Sequence, residues 1–140
     1  MAARMKYFVT VAGSQADYDA MAGKPSPASP AWSGDDIRAM FAFMSGLNEE
    51  LAASGELLDA QGFGPPSEAR FVTGAPGREP AVTDRPYADT EAVTAGYWLL
   101  ECSGLDRVTE IAARITQCPV PAGSPEYPVV IRPVGEAPSA

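Results

Sequence analysis

The sequence predicts an α+β fold of the ferredoxin-like type, a split β-α-β-β-α-β unit with a small hairpin inserted. Three observations carry this expectation. Two segments place apolar residues three and four apart behind a capping-box pattern, the signature of amphipathic helices. Short β-branched and aromatic runs bounded by Gly and Pro precede, separate and follow them. At 140 residues the chain has the size of one domain, and its 46% hydrophobic content is enough for a core.

Met1 to Arg4 reads as a frayed lead-in, and Lys6 to Val11 as the first strand. From Gly13 to Gly34 the chain carries Gly23, Pro25, Pro27 and Pro30 with several serines, so residues 13–34 are expected to form a flexible insertion. A turn of helix fits only around Ala16 to Met21. Ser33-Gly34-Asp35-Asp36 then opens a helix whose stripe is Ile37, Met40, Phe41, Met44, Leu47 and Leu51, stopped by Gly55. Leu57 to Phe63, Ala69 to Thr73 and Pro80 to Thr83 read as short strands, with a turn at Ala75 to Arg78. Tyr97 to Cys102 is the strongest strand. Ser103-Gly104-Leu105-Asp106 repeats the capping pattern before a stripe of Leu105, Val108, Ile111, Ala112 and Ile115. Pro119 and Pro121 end that helix, Tyr127 to Val134 supplies the last strand, and residues 135–140 form a disordered tail.

Composition narrows the function. Eighteen acids against ten bases give a net charge of -8, which argues against a nucleic-acid partner. The chain has no histidine, so triads and metal sites that need imidazole are excluded. Cys102 and Cys118 cannot make a thiolate metal site or a disulfide scaffold, and the sequence calls for no metal or other cofactor. Two thiols and the lack of a signal-peptide core after Arg4 and Lys6 point to a soluble, cytoplasmic chain. No apolar run approaches a membrane span.

The strand at Tyr97 to Cys102 is apolar on both sides: Trp98, Leu100 and Cys102 face one way, Tyr97 and Leu99 the other. Helices cover one face of such a sheet, and the second face implies a partner. A second copy packed sheet to sheet makes a homodimer the expected assembly.

Several motifs support a family resemblance. Met5-Lys6-Tyr7 opens a strand, and Gly62-Phe63-Gly64-Pro65-Pro66 follows the first helix. Val82-Thr83-Asp84-Arg85-Pro86-Tyr87-Ala88-Asp89-Thr90-Glu91 leads to Ala95-Gly96-Tyr97-Trp98, and Val130-Ile131-Arg132-Pro133-Val134 closes the chain. In order over residues 5–134, taken as one domain, these resemble the YCII-related family, in the branch named for its Asp-Gly-Pro-Phe (DGPF) motif. The resemblance implies a dimeric α+β barrel. Arg85 stands at the motif glycine and Tyr87 at its phenylalanine. The wider family includes members with a His-Asp pair, which this chain cannot form. Most of the branch has no assigned activity, so the resemblance speaks to fold more than to reaction.

Asp84, Arg85, Tyr87, Asp89 and Glu91 form the densest polar set. Asp84 is the candidate catalytic residue, a general base if burial raises its pKa; otherwise it is turn chemistry. Arg85 is a candidate for binding an anionic group, and Tyr87 for stacking or proton donation. Trp32, beside the insertion, is either a staple at the helix start or a pocket wall. Tyr97 completes the candidate binding set. Asp35-Asp36 and Glu49-Glu50 point in different directions on a helix and read as capping and solvated charges. Two functions follow: a metal-free enzyme acting on a small molecule through Asp84, or a dimeric module that binds a metabolite or protein without catalysis.

Overall fold

The computed structural model describes residues 4–135, so the expectations for Met1 to Ala3 and for the tail beyond Gly135 lie outside the described residues. In chain order the elements are β1 (Met5–Gly13), α1 (Gln15–Met21), α2 (Gly34–Ala53), β2 (Leu57–Gly62), β3 (Arg70–Thr73), β4 (Ala81–Asp84), β5 (Val93–Cys102), α3 (Leu105–Ile115) and β6 (Val130–Pro133). A 3-10 turn at Pro66–Glu68 precedes β3. Four strands form one sheet in the order β2-β5-β1-β6, with every neighbouring pair antiparallel. β3 and β4 make a separate two-stranded hairpin. This α+β architecture is compatible with the ferredoxin-like order expected, the inserted hairpin included.

Strand periodicity places the core. Tyr7 and Val9 of β1 and Trp98, Leu100 and Cys102 of β5 point to one face and are buried. Leu47 and Leu51 of α2 and Val108, Ile111 and Ile115 of α3 close over them in one cluster. Burying each such Leu or Ile is worth about 1.5–3 kcal/mol.

Helix ends follow their local chemistry. The Ser33 side chain accepts from the Asp36 N–H at 3.1 Å, and Asp36 accepts from the Ser33 N–H at 2.8 Å, the capping box read from sequence. After α2, Gly55 turns left-handed at φ +79, and the Glu56 N–H bonds the Leu51 carbonyl at 2.9 Å. The capping expected of Ser103 is corrected: Gly104 is the N-cap of α3, and no side chain caps that end. The stripe on α2 is also shorter than its spacing implied. Leu47 and Leu51 are buried, whereas Phe41 is 60% exposed. The N-terminal half of α2 therefore runs past the edge of the core.

Residues 13–34 are more built than an irregular insertion. Ser14 and Asp17 form a reciprocal capping box that starts α1. The Trp32 N–H then bonds the Ala20 carbonyl at 3.1 Å, and Ser29 is buried. The helix that composition allowed only weakly is thus fixed by its own cap. The longest stretch of residues 13–34 that is exposed throughout runs from Ala22 to Ala28.

Among the described residues Glu56 is the one buried charged side chain. It accepts from Arg107 Nε at 2.9 Å and Nη2 at 2.8 Å, and from the Ser54 hydroxyl at 2.8 Å. The Arg107 guanidinium holds its carboxyl down to about 2. This bidentate pair ties the α2–β2 junction to the first turn of α3. Cys102, next to it, is a buried thiol that burial and the Glu56 charge push up to about 11.

Candidate functional site

A cavity of about 970 Å³ opens where the exposed half of α2 overhangs the sheet. Val11 of β1 and Trp98 of β5 form its floor, Met40, Phe41 and Met44 of α2 one wall, and Asp17 and Tyr18 of α1 another. The segment after α3, including Cys118 and Tyr127, completes it. Its size falls within the range of small-molecule sites.

Polar groups in this wall are few and fixed. The Trp98 indole N–H donates to Asn48 Oδ1 at 2.8 Å, which orients both side chains across the α2–β5 junction. The Tyr18 hydroxyl donates to the Phe63 carbonyl at 2.9 Å and pins α1 to the end of β2. Asp17 gathers the densest network. Its Oδ2 accepts from the Ser14 N–H at 2.9 Å and from the Tyr127 hydroxyl at 2.6 Å, and its Oδ1 accepts from the Ser29 hydroxyl. Burial pushes the Asp17 carboxyl up, but the bonds from Ser29, Tyr127 and Ser14 outweigh it and hold the carboxyl below its ordinary range. Burial and the Asp17 charge raise the Tyr127 phenol. At neutral pH the pair is a carboxylate and a neutral phenol.

The expected site residues do not converge. Asp84 sits on the exposed hairpin, where Arg70 Nε donates to its Oδ1 at 2.6 Å and its side chain is 70% exposed. It lines neither this cavity nor a smaller one beside Pro65 and Pro66, so its candidacy as the catalytic residue is corrected toward the turn-chemistry alternative. The physical reason is that β4 pairs only with β3 and never joins the main sheet. Arg85 is exposed and has φ +48, the one non-glycine residue with positive φ among the described residues. It holds the left-handed turn that a glycine would take at no steric cost. Tyr87 stacks edge-on against Phe71, with centroids 5.2 Å apart, and lines a smaller concavity of about 450 Å³ beside Pro65 and Pro66.

Trp32 and Tyr97 do border the large cavity, so the pocket-wall alternative for Trp32 is the one the structure favours. The Tyr97 hydroxyl donates to Asp59 Oδ2 at 2.6 Å, and its ring lies 5.0 Å from Phe8 and 5.8 Å from Phe63. Sequence reasoning missed Asp17 and Tyr127, which are 110 positions apart. One local signal was available: Ser14-Gln15-Ala16-Asp17 has capping-box spacing.

Among the described residues no helix is long and apolar enough to cross a membrane. No protein-family profile matches the chain. Over 110 residues it is 26% identical to the uncharacterized protein R00369 of Rhizobium meliloti (strain 1021), an overlap of 78% of this chain and 88% of that protein.

Proposed function

We propose that the protein is a dimeric binding module for a small organic molecule, built on the YCII-like, dimeric α+β barrel plan its sequence resembles. The observation that carries this reading is the 970 Å³ cavity, with an aromatic and methionine wall and few fixed polar groups. Its chemistry favours binding over catalysis. A general base works best with a pKa near the operating pH, whereas three donors hold Asp17 well ionised. Burial raises the Cys118 thiol, which leaves it a poor nucleophile. Exposed and paired with Arg70, Asp84 offers no support for the enzymatic alternative.

The open face of the sheet supports the dimer. Phe8, Tyr97 and Leu99 share it, with Val130 of the edge strand 44% exposed. An apolar patch of this kind on a sheet usually meets a partner.

Trp32 and Trp98, the two tryptophans of the chain, both border the cavity, so intrinsic fluorescence reports on its contents. Nile red, a neutral apolar dye, should bind at one per chain and quench that emission. Ala60→Trp places an indole in the cavity from β2 and should abolish dye binding while the fold persists. Absence of saturable binding, or binding untouched by Ala60→Trp in a folded variant, overturns the reading.

A further inference from the structure

We infer that the ligand of this cavity is an organic cation, a protonated amine on an apolar body, with its ammonium group directed at Asp17. The inference rests on the binding-module reading and adds the ligand's charge. Among the residues that line the cavity there are two acids, Asp17 and Glu126, and neither Lys nor Arg. An anionic ligand would find no counter-charge there and would meet the field of Asp17.

Among the described residues the carboxylate has no cationic partner. Its donors are a backbone N–H and two hydroxyls, all neutral, and it belongs to none of the ion pairs among the described residues. Glu56 and Glu50, by contrast, meet arginines, whereas Asp59, like Asp17, takes its short bond from a tyrosine hydroxyl. Oδ2 takes two hydrogen bonds and Oδ1 one, so Oδ1 has capacity for a further donor. An ammonium N–H matches that acceptor in charge.

The wall suits the rest of such a molecule. Tyr18, Trp32, Phe41, Trp98 and Tyr127 line it, and aromatic rings attract cations through their quadrupoles as well as burying apolar groups. Met40 and Met44 add polarisable, adaptable surface for a hydrocarbon body. A net charge of -8 draws cations toward the molecule from a distance.

The test uses three probes of one shape on the full chain: phenylbutylammonium, phenylbutanol and phenylbutyrate. Titration calorimetry should rank the cation about tenfold tighter than the alcohol, with the carboxylate weakest. Asp17→Asn should erase the preference for the cation and retain alcohol binding. In the wild-type protein, nuclear Overhauser contacts should link the methylene beside the nitrogen to the Tyr127 ring. That measurement decides the orientation even if Asp17→Asn fails to fold. Equal affinity for cation and alcohol overturns the inference while leaving the binding module intact, as does contact of Tyr127 with the phenyl end. Failure of all three probes together with Nile red removes the underlying reading as well.

Discussion

Replacing Glu56 by Gln removes the negative half of the ion pair with Arg107 while keeping its size. In the native protein this carboxyl is held at about 2, against an ordinary value of 4.5. Linkage converts that gap into roughly 3 kcal/mol of stability at neutral pH. The Glu56 side chain is 7% exposed but Arg107 is 35% exposed, and solvent at the arginine end screens the pair. The expected loss is therefore about 2 kcal/mol, a drop of roughly 5–10 °C in Tm for a domain of this size. The sign of the pH dependence is fixed by the downward shift. The contribution is complete above about pH 5 and disappears as the pH falls from about 4.5 to 2. Urea unfolding followed by tryptophan fluorescence, repeated across that window, should show wild type and Glu56→Gln converging as acid is added. Two parallel curves, or a difference below about 0.5 kcal/mol at neutral pH, would refute the reasoning.

Further outcomes follow from the hairpin, the open sheet face and the α1 region. Arg85→Gly relieves a side chain at φ +48 and should raise stability by up to about 1 kcal/mol in urea melts; a loss would mean the arginine side chain itself holds the turn. Light scattering of the wild type should give twice the 14.6 kDa chain mass, and Leu99→Asp should give a single chain or insoluble material, whereas a wild-type monomer would sink the dimer. Limited proteolysis should cut first within Ala22 to Ala28 and spare Gln15 to Met21; early cleavage inside α1 would contradict its cap and its bond to Tyr127.

Much of the fold was legible because its signals are local. The Ser33 box, the Gly55 stop and the alternation of Trp98, Leu100 and Cys102 each act within a few residues, and each stands where sequence placed it. Ser103 misled because a capping pattern states only which bond is available, and Gly104 took the cap position with extended backbone. The site was less legible. Asp17 and Tyr127 meet only after β1 and β6 have been joined in one sheet, so no spacing announces them. Asp84 drew attention through the density of polar residues around it, which an exposed hairpin produces equally well.

The uneven burial of α2 has a mechanical consequence. Phe43, Met44, Leu47 and Leu51 clamp its C-terminal half to the core, while Met40 and Phe41 belong to the stretch that overhangs the cavity. Just before its other end the chain is held more lightly, by the Trp32 N–H bond to the Ala20 carbonyl. From Phe43 back to Gly34 this arm is about 14 Å long, and Met40 and Phe41 lie only about 3–5 Å along it, so a tilt of about 10° moves them by less than about 1 Å. A tilt of that size alters the width of the cavity at Met40 and Phe41 by less than a methyl group. The width of this wall is therefore set by two anchors of unequal strength, side-chain packing on the core at one end of α2 and a backbone hydrogen bond just before the other.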